Sequence, residues 1–122
     1  MAKCDQGYLC RVCGQEVETL CESALYLRFV IGEIDPETLH LSPECHLRCN
    51  PVLAQFIVDE RFENAPPVPE GFGVEHLDAQ YAAARKELIT RGYQRLREIQ
   101  SNRKRFPHVQ NYVLEEFQGK WK

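Results

Sequence analysis

The sequence contains no apolar run approaching the roughly 18 residues needed to cross a bilayer as a helix. Its opening residues, Met1-Ala2-Lys3-Cys4-Asp5, hold no apolar signal-peptide core. A soluble, cytoplasmic chain without membrane association is the expectation. No internal repeat or low-complexity tract is present, and neither a phosphate-binding glycine loop nor a serine-centred nucleophile motif can be found. Cysteine is missing from residues 74–122, so all six cysteines lie in the first half. What remains is a chain of 122 residues, 43% hydrophobic and 27% charged, the size and composition of one globular domain or of a small domain with an appendage.

Six cysteines are many for a chain of this expected location. A reducing cytosol disfavours a disulfide framework and favours metal ligation. Charge is also unevenly distributed. Residues 1–80 carry five Lys/Arg against fourteen Asp/Glu, whereas residues 81–122 carry ten against four. The halves can attract each other, within the molecule or between copies, or the basic half can meet a nucleic acid. The sequence pI of about 5.8 favours the first reading.

The segment Glu63-Asn64-Ala65-Pro66-Pro67-Val68-Pro69-Glu70-Gly71-Phe72-Gly73 can sustain neither a helix nor an inner strand. Three regions follow: a Cys-rich module over 1–63, a Pro/Gly-rich connector over 64–74, and a helical region over 75–122 expected to pack with the module as one unit. The proline-free stretch 75–105 is rich in helix formers. Leu77, Tyr81, Ala84, Leu88, Gly92, Leu96 and Ile99 recur on it at steps of three and four. Pro107 ends this long amphipathic helix, and Val109, Val113 and Phe117 predict a tail helix over about 108–118. In the first half, Asp35-Pro36, Ser42-Pro43 and Asn50-Pro51 place an N-cap residue before proline at the first helical position. They predict a helical turn at about 36–39 and helices at about 43–49 and 51–58. Residues 17–31 fit both helical and strand periods. The capping-box pattern Thr19-x-x-Glu22 favours helix. The fold class is therefore mainly α with a small β zinc knuckle, with an α+β arrangement left open.

The sharpest motif is Cys10-Arg11-Val12-Cys13-Gly14. Two cysteines two residues apart can converge on a metal about 2.3 Å from each sulfur, and the glycine admits the positive φ of the reversing chain. Cys45-His46-Leu47-Arg48-Cys49 supplies the second pair. On the helix expected there, His46 with Cys49 or Cys45 with Cys49 would share a face. The preferred set is Cys10, Cys13, His46 and Cys49, holding one structural Zn2+. Cys45 is the alternate fourth ligand. Four protein ligands leave no open position for water, which favours a structural over a catalytic zinc. A small module with a limited core has reason to need such a staple.

A Cys-x-x-Cys-Gly knuckle followed by a ligand pair at a helix start resembles a treble-clef zinc finger. The resemblance covers roughly residues 8–58 and rests on Cys10, Cys13, Gly14, His46 and Cys49. It implies a knuckle, a β-hairpin and a helix, in a module that binds nucleic acids or proteins. The sequence departs from it between the pairs, where no hairpin can be read. A rubredoxin-like site would require a second Cys-x-x-Cys-Gly. A His-Asn-His nuclease would require a paired-His strand that the region around His40 and His46 does not reproduce. Cys4 and Cys21 are expected to be free or packed thiols, since an iron–sulfur cluster on Cys4, Cys10, Cys13 and Cys21 would have no familiar spacing. His40, His76 and His108 stand alone.

The function expected from this reading is that of a non-enzymatic, zinc-stabilised adaptor or regulatory module. Tyr112, Phe117 and Trp121 are candidate partner contacts, or pack on the chain's own helix. The alternative is nucleic-acid binding through Arg91, Arg95, Arg97, Arg103, Lys104 and Arg105. A zinc-dependent hydrolase or nuclease would require an open coordination position. Homo-oligomers through the amphipathic helices are a further expectation.

Overall fold

A computed structural model describes residues 8–62 and 67–118. The expectations placed on Cys4, Trp121 and residues 63–66 lie outside these. Among the described residues the protein is mainly helical. Strands β1 (Tyr8–Leu9) and β2 (Glu16–Val17) pair antiparallel, with Tyr8 opposite Val17 and Leu9 opposite Glu16. Helices α1 (Ala24–Val30), α2 (Pro51–Ala54) and α3 (Ala79–Ser101) follow, linked by short 3-10 turns. No helix among the described residues is long and apolar enough to cross a membrane.

The core forms where α1 crosses the C-terminal half of α3. Leu27, Phe29, Ile89, Leu96 and Ile99 have essentially no exposed surface. Gly92 permits the crossing. A Cβ there would lie 2.6 Å from Ile31 Cγ2 and 2.7 Å from Leu27 Cδ1. The glycine on the apolar stripe thus admits the side chains of Leu27 and Ile31 against the backbone of α3. Earlier on the stripe, Leu77 and Tyr81 remain exposed.

Capping explains where the helices stop and start. Ser23, not Thr19, caps α1: its hydroxyl accepts from the Tyr26 N–H at 2.9 Å, and Thr19 makes no side-chain cap. The helix expected over 17–31 is therefore shorter, with strand β2 and a 3-10 turn, Leu20–Glu22, before it. At its end the Gly32 N–H bonds to Phe29 O and the Glu33 N–H to Arg28 O, a Schellman pair closed by Gly32 at φ +78°. Asn50 caps α2 as expected, accepting from Leu53 N–H with Pro51 at the first turn. That helix ends at Ala54 rather than 58. The turn expected over 36–39 becomes a turn and a 3-10 segment, Leu39–Leu41. Asp78 caps α3 by accepting from Gln80 and Tyr81 N–H groups, so the helix begins at 79 rather than 75. It breaks at Asn102, and Arg103–Arg105 form a separate 3-10 turn.

The tail does not form the expected helix. It has two 3-10 turns, Val109–Asn111 and Glu115–Phe117. The reason is Arg95. Its Nε donates to Tyr112 O at 3.0 Å, and its Nη2 donates to Asn111 O at 3.0 Å and Val113 O at 3.2 Å. Those carbonyls would otherwise accept the next helical turn. Leu114 N–H bonds instead to Val30 O at the end of α1. Tyr112, Val113 and Leu114 are buried in the core.

Candidate metal centre

The hairpin β1–β2 carries the first pair of ligands on its turn. Cys10 N–H bonds to Gln15 O and Gly14 N–H to Cys10 O, which folds residues 10–15 into a tight loop. Gly14 has φ +77°, the conformation the sequence motif requires. Two backbone N–H groups, from Val12 and His46, each lie 3.4 Å from Cys10 Sγ and donate to it.

The second pair comes from an extended segment, not a helix. The helix expected over 43–49 is reduced to the 3-10 turn Leu47–Cys49, with His46 as its extended N-cap residue. Residues 44–46 lie between the hairpin and the start of α1. Glu44 O accepts from Arg11 N–H, Cys45 O accepts from Ala24 N–H, and His46 bridges to Ser23. Glu44 itself is buried, and its Oε1 accepts from Ser23 Oγ at 2.7 Å and from Cys45 N–H at 3.0 Å. In the fold it fixes the segment that presents the second pair.

The result is a cluster. The ligand atoms of Cys10, Cys13, His46 and Cys49 all lie within 4.8 Å of one another. Cys13 Sγ is 3.3 Å and Cys49 Sγ 4.0 Å from His46 Nδ1. A tetrahedral zinc with bonds of about 2.3 Å to sulfur and 2.0 Å to nitrogen places its ligand atoms roughly 3.5–3.8 Å apart. The cluster fits such a centre with small adjustments. His46 Nε2 points away from it, 2.9 Å from Glu16 O. A carbonyl only accepts, so Nε2 carries the proton and Nδ1 is left with its lone pair facing the thiols. This carbonyl partner of the ligand histidine has no signature in the sequence, because it is backbone.

Cys45 takes a different place. Its buried thiol donates to His46 O at 3.3 Å, and it does not belong to the cluster. Burial, with the neighbouring Cys10, pushes its pKa up to about 11. Within the cluster the thiols differ. Burial raises the Cys10 pKa, but backbone N–H donors from Cys13, His46 and Val12 outweigh it and bring the thiol down to about 5. Cys49 is raised to about 12, first by burial and then by the Cys13 and Cys10 sulfurs beside it. One thiolate is stabilised mainly by backbone N–H groups, with the His46 side chain. Assembling three needs a cation.

The other candidates are scattered. Tyr112 is buried against Tyr26, with ring centroids 6.3 Å apart, and Phe117 is half-buried over Gly32. Arg91 pairs with Glu116, and Arg95 clamps the tail. Arg105 reaches Glu98 at 3.2 Å. Arg97 lies on Tyr93, while Arg103 and Lys104 are exposed. Cys21 is a half-buried free thiol, and His76 and His108 are exposed and outside the cluster. No protein-family model matches the chain, and neither a curated protein nor a solved structure does. The described residues bring together a Cys3His group able to hold a metal ion.

Proposed function

We propose that this protein is a small, non-enzymatic adaptor whose N-terminal module is stapled by one structural zinc ion in a treble-clef-like knuckle. The observation that carries this reading is the convergence of Cys10, Cys13, His46 and Cys49 from two separate segments, with the imidazole already oriented by Glu16 O. The zinc would supply charge neutralisation and a crosslink between hairpin and 3-10 turn. Four protein ligands saturate it, so hydrolysis at the metal has no place to bind water.

An adaptor needs an exposed apolar surface, and Tyr112 and Phe117 do not supply it, since they pack on the core. Val52, Phe72, Leu77 and Tyr81 are exposed large apolar side chains that line one cleft of about 490 Å3 between α2, the end of the connector and α3. This cleft is the better candidate for a protein contact. The alternative of nucleic-acid binding keeps support from Arg103 and Lys104, which are exposed without ion pairs among the described residues. It loses Arg91 and Arg95 to internal partners.

Metal analysis of the purified protein tests the core of the proposal. One zinc per chain is expected. Cys10→Ser should abolish it and unfold the hairpin and the 44–49 segment, because metal-binding energy of order 10 kcal/mol is folding energy in such modules. A fully folded, zinc-free wild-type protein would sink the reading.

A further inference from the structure

Beside the metal cluster, a second cleft of about 320 Å3 opens between the 3-10 turn at 47–49, residues 61–62 and α3. Three arginines line it, Arg48, Arg61 and Arg97, against a single acidic residue, Glu22. Only Arg97 of these belongs to the basic helix that sequence reading singled out. The three arise in different segments and share one cleft only in the fold.

Their existing partners hold them in position without using all their donors. Asp59 grips Arg61 at two points, Nε to Oδ1 at 2.9 Å and Nη2 to Oδ2 at 2.7 Å, so the Nη1 edge stays unused among the described residues. Arg48 has only a loose pairing with Glu22, at 3.7 Å. Arg97 has no carboxylate partner among the described residues. Its Nη1 donates to Tyr93 Oη at 3.3 Å and lies 4.0 Å from Cys21 Sγ, with the Tyr93 ring 5.9 Å from its guanidinium carbon. A planar fork fixed along one edge and open along the other is suited to an oxyanion. Even with Asp59 counted behind Arg61, positive charge is in excess here, between the acidic and basic halves of the chain.

A carboxylate offers two oxygens in one plane. Three forks arriving from three segments suit a tetrahedral group with several acceptor oxygens instead. The cleft is also far larger than a bare anion, and Phe62 and Leu47 give it an apolar wall. We infer that this cleft binds an organic phosphomonoester, its phosphate held by Arg48, Arg61 and Arg97 and its carrier group resting on the Phe62 side. The inference stands apart from the adaptor reading and from any zinc chemistry.

Calorimetric titration of the metal-loaded protein with phenyl phosphate, phenyl sulfate and inorganic phosphate tests it. Phenyl phosphate should bind about tenfold more tightly than phenyl sulfate, whose head carries one charge fewer, and more tightly than inorganic phosphate, which lacks the carrier. Arg48→Ala, at an exposed side chain, and Arg97→Lys, which keeps the charge but loses the fork, should each weaken binding about tenfold. Zinc content and melting temperature should stay unchanged. Arg103→Ala, outside the cleft, should leave the affinity as it was. Equal affinity for phosphate and sulfate esters would overturn the proposal. So would a loss in Arg103→Ala matching that in Arg97→Lys, since binding would then be diffuse attraction, and inorganic phosphate binding as tightly as phenyl phosphate would overturn the carrier contact.

Discussion

His46 Nε2 lies 2.9 Å from the carbonyl oxygen of Glu16, so the hairpin that carries the first two thiols also selects the tautomer of the imidazole. The neighbouring Cys45 thiol lies beside Cys10 but outside the cluster, and donates to His46 O. The two residues therefore predict opposite outcomes. Cys45→Ser should retain stoichiometric zinc. His46→Ala should lower zinc affinity by at least about 100-fold, since a ligand is lost and not merely its outer-shell support. Competition with a chromogenic chelator measures both. Zinc loss in Cys45→Ser with retention in His46→Ala would transfer the fourth position to Cys45.

Proton release should accompany metal loading. Cys10, held near a pKa of about 5, is already a thiolate at neutral pH and releases none. Cys49, raised to about 12, is protonated there and must give up its proton to bind. Zinc affinity should then rise with pH across neutrality, about tenfold per unit for each proton displaced. Calorimetry in buffers of different ionisation enthalpy counts the protons. An affinity independent of pH between 6.5 and 8 would contradict the assignment of Cys49 as a ligand.

Arg95 holds the tail on the body of the protein. Its side chain is only 11% exposed, donates to three consecutive carbonyls and lies 4.6 Å from the centre of the Phe106 ring. Arg95→Ala should destabilise the protein by about 1.5–3 kcal/mol, the range for hydrogen bonds to a charged group. Hydrogen exchange at residues 111–118 should accelerate far more than in α1. Arg95→Lys should rescue little, because an ammonium cannot span the three carbonyls as a planar fork does. Unchanged exchange in the tail would show that Tyr112, Val113 and Leu114 hold it by burial alone.

Gly92→Ala places a methyl group against Ile31 and Leu27, both fully buried. Alanine is the better helix former by about 1 kcal/mol. Overpacking of about 1–3 kcal/mol opposes it. With contacts at 2.6 and 2.7 Å against two buried side chains, overpacking should win, giving a net loss of up to about 2 kcal/mol. Chemical denaturation checks the sign, and a stabilised variant would mean that α1 can retreat from α3.

Several features were legible because they depend on neighbours in the chain. Cys10, Cys13 and Gly14 form a tight turn by their own spacing, and Gly14 has the positive φ that the motif demands. Asn50-Pro51 marks a helix start wherever it occurs, and α3 follows from composition and period. Helix boundaries were less legible. Asp78 and Ser23 outcompete alternative caps only once the flanking chain is placed.

The sequence by itself determined a knuckle of two thiols, a long helix and a short list of residues for the remaining ligands. Tertiary structure decided which of them converge with those thiols. Cys45 and His46 are consecutive on extended chain, where side chains alternate between faces. The His46–Ser23 bridge sets that register through a contact 23 residues away in sequence. A slip of one residue would exchange the two side chains, and no local pattern encodes the choice. The arginines follow the same rule: composition placed them in the basic half, but only folding separates Arg95, buried under three carbonyls, from Arg97, open to a cleft.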